Sequence, residues 1–479
     1  MVGLVLAMFM AAIEGTIVAT AMPSIAASLG GFALYAWVFS AYLLMQAVGT
    51  PVFGKLADLM GRKPVFVAGV SIFLAGSLAC GLATSMPALI AFRLVQGLGA
   101  GAVQPVTVTL AGDLYGFRER ARIQAWLSSV WGLSAVAGPL AGGLIVQHLD
   151  WSWIFWLHLP VGVLAAALVA AFLHERVEPT PRRIDVPGVA AFAVCVASAI
   201  VLLSQGALLS FPVAAALGAI AVGTGAWFWR HERSAAEPMI PPALWRDRLV
   251  RTANLATLAS GGVMIAVVAY LPSYAQGVLG TSALVAGFTL TTMSLGWPLA
   301  SVTAGRMLPV LGARMLARAG GVALLTGALG LQWLGPEVGP VWAAASSGVV
   351  GIGMGLVSTT FLVAIQTRMP WSRRGAATST NLLMRLLGNA LGAALLGGIV
   401  NARLRAWLER EGLADTVDLE AVTRLLEGAA PAAAAELPPG LRDGLAVSIE
   451  TAFVATVVAA VAALALTFAM PDLTEAETA

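Results

Sequence analysis

The sequence predicts an all-α integral membrane protein with 14 transmembrane helices, built as two six-helix bundles with a two-helix hairpin inserted between them. Three observations carry this reading. Hydrophobic residues make up 59% of the chain and charged residues 11%, against about 45–50% and 25% in ordinary globular domains. Apolar runs of about 20 residues, the length that crosses a hydrocarbon layer, recur along the chain. The chain also repeats itself, with one loop pattern after both the second and the tenth run.

Taken in order, the spans are expected at 2–22, 33–53, 64–83, 87–110, 123–146, 153–173, 186–205, 211–229, 252–273, 283–304, 315–334, 340–364, 377–400 and 447–470. The first run is too long for a cleaved signal and lacks a basic lead, so it reads as a retained span. With the N-terminus inside, the inner loops hold Lys55, Arg62 and Lys63, then Arg118, Arg120 and Arg122, and so on to Arg368, Arg373 and Arg374. The short outer loops hold no Lys or Arg, and outer arginines occur only in the long loop 401–446. This alternation places both termini in the cytoplasm and the chain in the cytoplasmic membrane.

Other classes are excluded by what is missing. The net charge of +3 is dispersed over the loops and forms no nucleic-acid-binding face. Cys80 and Cys195 both lie in apolar runs, so neither a disulfide framework nor a metal site is expected. Gly97, Gly99 and Gly101 have the spacing of a dinucleotide loop, but they sit in an apolar helix with no strand before them. Small residues there let helices approach closely. No nucleotide-binding module is expected, and acidic residues cluster only in the outer loop 401–446, so an enzyme is not expected; a membrane-embedded enzyme or a receptor is the remote alternative.

The repeat sets the domain organisation. The loop after span 2 reads GKLADLMGRK, Gly54 to Lys63, and the loop after span 10 reads GRMLPVLGAR, Gly305 to Arg314. Gly54, Lys55, Gly61 and Lys63 match Gly305, Arg306, Gly312 and Arg314 at one offset. A second echo sets Gly97-Leu-Gly99 against Gly353-Met-Gly355, and Arg118 against Arg374. The expected units are residues 1–184, an inserted hairpin with its linkers at 185–250, and residues 251–479. Two related halves around a midplane site are a common transporter plan.

Several motifs resemble those of a known family. GKLADLMGRK resembles the loop signature of the major facilitator superfamily, and RLVQGLGAG, from Arg93 to Gly101, resembles its span-4 signature. GLSAVAGPLAGG, from Gly132 to Gly143, resembles the span-5 element associated with antiporters. IEGTIVATAMPSI and WSWIFWLHLPVG resemble the first- and sixth-span elements of its fourteen-span drug:proton antiporters, the EmrB/QacA type. The resemblance covers nearly the whole chain. It implies a major facilitator fold and a proton-coupled exporter of small amphipathic drugs or antibiotics, with a dedicated exporter of one metabolite, amino acid or endogenous antibiotic as the alternative. The partners it implies are that substrate, protons and the lipid bilayer. The energy source is a proton gradient with no cofactor, and the chain is a monomer, with a periplasmic adaptor left open. The sequence departs from the family pattern in three places. Glu14 stands where an Asp is usual, Ser152 and His158 replace an Arg and an Asn, and span 10 has no acidic residue.

The candidate residues follow. Glu14 lies inside span 1, where a charge costs roughly 2.5–3.5 kcal/mol on insertion scales. Burial disfavours the charged form of a carboxylic acid. A glutamic acid in a cavity that opens and closes can therefore exchange a proton, and when ionised it can attract a lipophilic cation that competes for it. Arg93 is its expected partner. Glu14 lies about nine residues before Pro23 and Arg93 about six after Pro87, which puts both at similar depth. The resemblance implies neighbouring spans 1 and 4. The other reading is a structural bond from Arg93 to backbone carbonyls. Gln96, one turn on, either extends a polar network or packs as a helix-contact amide.

Gly138, Pro139, Gly142 and Gly143 punctuate span 5. The resemblance implies a kinked, leak-limiting helix, and the plain alternative is ordinary packing. Gly54, Asp58, Gly61, Arg62 and Lys63 form a loop in which Gly61 permits a tight turn. Asp58 is expected to accept hydrogen bonds at a helix end, or to pair with a basic residue across the bundle interface, a contact whose making and breaking would bias a conformational equilibrium. Arg62 and Lys63 read equally as a solvated positive loop. The second copy has Pro309 at the Asp58 position, so the contact would exist on one side only. Asn381, Arg385 and Asn389 share one face of span 13, with Arg385 facing a cavity or snorkelling to the surface. A fixed positive charge there conflicts with a cationic cargo. His158 reads as a structural group, and DLEAVTRLLEG in the outer loop as a short amphipathic helix.

Overall fold

The computed structural model describes residues 1–29, 35–173, 175, 185–205, 209–235, 238–281, 283–335, 338–412 and 441–471. Among the described residues fifteen α-helices follow one another: α1 (Val2–Leu29), α2 (Tyr35–Met60), α3 (Arg62–Gly81), α4 (Met86–Leu114), α5 (Phe117–His148), α6 (Trp153–Trp156), α7 (His158–Phe172), α8 (Val186–Gln205), α9 (Phe211–Ser234), α10 (Pro242–Arg246), α11 (Arg248–Gly277), α12 (Ala283–Gly330), α13 (Gly339–Arg368), α14 (Trp371–Arg410) and α15 (Leu441–Ala469). The described residues contain no strand. Among them 10 helical stretches are long and apolar enough to cross a membrane, and α1 and α8 contribute shorter apolar stretches, Val2–Val18 and Val186–Leu202. Only helices keep every backbone polar group paired in a hydrocarbon layer without closing a barrel, which is why so apolar a chain folds this way.

Local chemistry sets the helix ends. Ser85 accepts from the Ala88 amide at 3.4 Å and begins α4, with a proline in its first turn. Asp247 accepts from the amides of Leu249 and Val250 at 2.9 and 3.2 Å and begins α11. The start of α3 has only Gly61 at its cap, so Glu175 supplies the acceptors instead. Its carboxylate takes the amides of Arg62 and Lys63, each at 2.9 Å. Pro160 lacks the amide that would bond back to Trp156, and the expected span 153–173 divides there into α6 and α7.

One boundary differs from expectation. The outer loop was expected from 401, yet α14 runs on to Arg410 and α15 begins at Leu441. Leu404 and Leu408 are buried in that extension, and Trp407 packs against Gly444. Residues 401–410 combine strong helix formers with an i, i+3, i+4 apolar stripe, which continues the helix past the membrane-spanning length. At 40 residues α14 is about 60 Å long, about twice a hydrocarbon core. The amphipathic helix expected within DLEAVTRLLEG lies outside the described residues.

The internal repeat is visible in backbone and packing. Gly61 and Gly312 both hold positive φ, 94° and 75°, with ψ of 158° and 161°. Gly312 thereby bends α12 into two segments, and α2 and α3 meet at Gly61 in the same way. Where α4 crosses its neighbours, a β-carbon on Gly97 would strike Tyr42, one on Gly99 would strike Phe73, and one on Gly101 would strike Gln46. Where α13 crosses the two segments of α12, Gly351 meets Met293, Gly353 meets Leu324 and Gly355 meets Trp297. Tyr42, Gln46 and Phe73 match Met293, Trp297 and Leu324 at the offset that joins Gly61 to Gly312. The glycine echo is therefore real, but Gly353 is the counterpart of Gly99, two residues out of the register expected from sequence.

The two copies meet along two seams, α2 against α14 and α5 against the first segment of α12. The α8–α9 hairpin packs on itself and lays α8 against α2 and α14. Phe192, Val196 and Phe228 join Ala47, Leu383 and Met384 in one buried apolar cluster there.

Candidate functional site

The sequence places one carboxylate on α1 and one guanidinium on α4 at similar depth, and the fold brings them together. Arg93 Nη1 donates to Glu14 Oε1 and, at 2.7 Å, to Gln96 Oε1. Its Nε donates to the carbonyl of Val38 at 3.1 Å, and its guanidinium lies 4.3 Å from the centroid of the Tyr42 ring. Gln96 Nε2 donates onward to Ser77 Oγ at 2.7 Å. Glu14 is 0% and Arg93 1% exposed. A charge removed this far from water is tolerated only when paired, and removing one partner of such a pair costs about 3–5 kcal/mol. Arg93 thus pairs with Glu14 and also bonds a backbone carbonyl. Gln96 extends the network across α3 and α4. His158 is buried, with Nδ1 3.1 Å from the Phe155 carbonyl and its ring edge-on to Phe73.

The glycines of span 5 sit beside this pair. Gly138 meets Thr16, and Gly142 meets Ile17 and Thr20, with added β-carbons 3.1 Å from both the Ile17 carbonyl and Thr20 Cβ in the second case. Thr16 in turn donates to the Ser134 carbonyl at 3.2 Å. These two glycines thus let α5 close on α1 within a turn of Glu14. Gly143 has nothing within 4 Å among the described residues. The helix continues through Pro139, whose side chain lies outside the described ones. Gly388 and Gly392 do the same for α14 against α11, facing Leu258 and Gly262.

At one end of the bundle Asp58 joins the halves. Its carboxylate accepts the amides of Gly375 and Ala376, in the first turns of α14, at 2.9 and 2.7 Å. A helix N-terminus presents unpaired amides and partial positive charge, so a carboxylate fits it. The helix-end expectation for Asp58 is met, and that contact crosses between the halves; its basic partner, Arg62 Nη2 at 2.8 Å, stands four residues on in the same half and not across the interface. Arg62 is fully buried, which overturns its reading as a solvated loop charge. It donates to Asp113 Oδ2, the Ala57 carbonyl and the Trp371 carbonyl at 2.8, 2.9 and 2.8 Å, and stacks 3.8 Å from the Trp371 ring centroid. Arg374 reaches Asp113 from the other half. Lys63 contributes its backbone amide to Glu175. Gly54 lies against Ser379, which brings α2 and α14 together above this cluster. Gln366 Nε2 closes the same end by donating to the Val108 carbonyl at 3.1 Å.

Sequence reasoning missed Asp113, Glu175 and Gln366. Asp113 and Glu175 are single acids near helix ends, and Gln366 is one amide in a long helix, so none carries a local pattern.

Between the halves lies a cavity of about 230 Å³. Met8, Trp131 and Trp297 form part of its apolar wall, and Gln46, Gln104 and Gln124 bring side-chain amides to it. Asn381, Arg385 and Asn389 all line it, as their four-residue spacing on α14 requires, so Arg385 faces the cavity and does not snorkel away. Asn381 is held by Asn254 and Thr257 at 3.0 Å each. Glu14, Arg93 and Gln96 do not line the cavity, although Met8, on the same helix as Glu14, does. The ion pair and this cavity are therefore separate compartments.

Comparison with known proteins agrees with this architecture. The profile of the Major Facilitator Superfamily matches residues 4–393. The multidrug transporter protein MdtP of Bacillus subtilis (strain 168) is 35% identical over 411 residues, 84% of this chain and 75% of that protein. Multidrug resistance protein 3 of the same organism is 34% identical over 401 residues, covering 83% and 78%. The solved structure of the proton:xylose symporter XylE superposes with a TM-score of 0.64 at 13% identity, covering 98% of this chain and 95% of that one, a likeness of fold alone. An all-helical chain in two repeated halves, with a cavity between them and a match over most of its length, belongs to the Major Facilitator Superfamily of membrane transporters.

Proposed function

We propose that this chain is a proton-coupled antiporter that exports small amphipathic compounds, drugs or antibiotics, across the cytoplasmic membrane. One observation carries the reading: a carboxylate fully enclosed in one half, held by an arginine on the neighbouring helix, beside an amphipathic cavity between the halves. Two relatives named as multidrug proteins support the cargo class. An exporter dedicated to one metabolite, amino acid or endogenous antibiotic is the second reading, favoured by the fixed polar groups of the cavity wall.

In this mechanism the ion pair is the proton site and the cavity is the cargo site. With Glu14 ionised, Arg93 ties α1 to α4. Protonation removes the charge that holds Arg93 and loosens the α1–α4–α5 packing around Thr16 and Gly138. The halves then rock, and the Asp58 contact to α14 breaks and reforms with each cycle. We assign 14 spans, with α12 counted as two and the α8–α9 hairpin as the insertion, in the fourteen-span drug:proton antiporter group. Both termini and the Asp58 contact lie on the cytoplasmic side. The units are residues 1–184, 185–250 and 251–479, acting as a monomer driven by the proton gradient.

The test is accumulation of fluorescent drugs by proteoliposomes holding the purified chain, with and without an imposed pH gradient. Wild type accumulates them only with the gradient, and Glu14→Gln gains no accumulation from it. Accumulation that ignores the gradient in wild type contradicts proton coupling.

A further inference from the structure

The cavity wall carries one sign of charge. Arg385 is its only charged lining residue, and no Asp or Glu lines it among the described residues. Arg385 has no acidic partner among the described residues. The acids nearby in the fold are engaged elsewhere, Glu14 with Arg93 and Asp58 with Arg62 and the start of α14. A guanidinium presents a planar fork of donors and no acceptor, and it matches carboxylate, sulfonate and phosphate oxygens. The groups around it complete an amphipathic site. Asn389 stands one turn along the same helix, and Gln46 and Gln104 on α2 and α4 bring amides that donate as readily as they accept. Trp131 and Trp297 offer flat apolar faces. A lipophilic cation entering this space meets an uncompensated positive charge, in a setting where such charges are poorly screened.

We propose that the cargo of this cavity is an anionic amphipath: an aromatic or otherwise apolar body bearing one carboxylate, sulfonate or phosphate, bound through Arg385. The proposal rests on the reading of the cavity as the cargo site. It also relieves the conflict noted in the sequence, because Arg385 then attracts the cargo and Glu14 is left free to handle the proton.

The experiment compares two probes with one ring skeleton, 8-anilino-1-naphthalenesulfonate and the uncharged N-phenyl-1-naphthylamine. Binding to the purified full chain is followed by quenching of its tryptophan fluorescence. Arg385→Gln is expected to weaken the sulfonate about 10- to 100-fold, the range for a hydrogen bond to a charged group, and to leave the uncharged probe within about twofold. That unchanged binding also shows the variant to be folded. Arg385→Lys is expected to fall between wild type and Arg385→Gln for the sulfonate alone, because it keeps the charge and loses the fork. Equal weakening of both probes, or a sulfonate affinity unchanged in Arg385→Gln, overturns the proposal. Failure of the exporter reading shows differently. Sulfonate binding that depends on Arg385, without gradient-driven movement of the probe, leaves the anion site standing and discards antiport. Gradient-driven export of a cationic dye, with sulfonate binding indifferent to Arg385, does the reverse.

Discussion

Arg93 and Ser347 occupy equivalent places in the two halves. Arg93 Nε donates to the carbonyl of Val38, and Ser347 Oγ donates to the carbonyl of Thr289. Val38 and Thr289 are themselves matched by the offset that joins Gly61 to Gly312. One half thus carries a buried charge pair where the other carries a hydroxyl cluster, with Thr292 Oγ1 2.7 Å from Ser347 Oγ. The halves share a frame but not a chemistry: at this place the first half holds an ionisable pair and the second, among the described residues, holds hydroxyls.

Disrupting the ion pair from either side should be costly, and disrupting it from both sides should cost less than the two losses added. Glu14→Ala and Arg93→Ala are each expected to lose about 3–5 kcal/mol of stability, since each leaves a buried charge unmatched. The double variant should lose less than the sum, with a coupling of at least about 1 kcal/mol. Unfolding midpoints of the purified variants in detergent test this, and strict additivity contradicts the pairing.

The Asp58 contact predicts a conformational effect. Asp58→Ala removes the acceptor for two α14 amides and a partner of Arg62. Spin labels at Met60 and Ser372, both exposed beside the contact, should then show a distance distribution shifted to longer values, with transport slowed at least about tenfold, a loss of about 1.4 kcal/mol on the rate-limiting step. An unchanged distribution makes the contact a passive one.

The glycines of α5 separate by what they touch. Gly138→Val should prevent α5 from closing on Thr16, with loss of folded yield or of at least about 2 kcal/mol, as overpacking does. Gly143→Ala meets open space and should stay within about 0.5 kcal/mol of wild type. Size-exclusion profiles and unfolding midpoints read both. Equal effects at the two positions contradict the packing described.

Positive φ makes a matched prediction at the repeat. Gly61→Ala and Gly312→Ala should each cost about 1–3 kcal/mol, the penalty of a β-carbon at positive φ with extended ψ, a region held essentially by glycine alone. They lie in different halves with no shared partner, so their unfolding costs should add.

Much of this was legible in the sequence because the signals were charges and glycines in an apolar background. Glu14 and Arg93 stood out as intramembrane charges, and counting residues from Pro23 and Pro87 put them at one depth. Gly61 and Gly312 announced the repeat. Asp58 was legible as an acceptor, but its acceptance from Gly375 and Ala376 depends on a distant helix start that no local pattern encodes. Which of Met8, Trp131 and Trp297 face the cavity was not legible. In a hydrocarbon layer outward and inward faces are equally apolar, so the polar–apolar alternation that orients a helix in water is lost. A GxG spacing matches itself when shifted by two, so sequence alone leaves the register of the glycine echo open. Only the crossings at Phe73 and Leu324 fix it.

The central claim is that Glu14 carries the proton that is exchanged for cargo. It is tested most directly by loading proteoliposomes with a transported dye, imposing no pH gradient, and following lumenal pH as the dye leaves. Wild type should draw protons inward as dye moves out, while Glu14→Gln, folded by its unfolding midpoint, should draw none. Proton movement in Glu14→Gln equal to wild type would contradict the account.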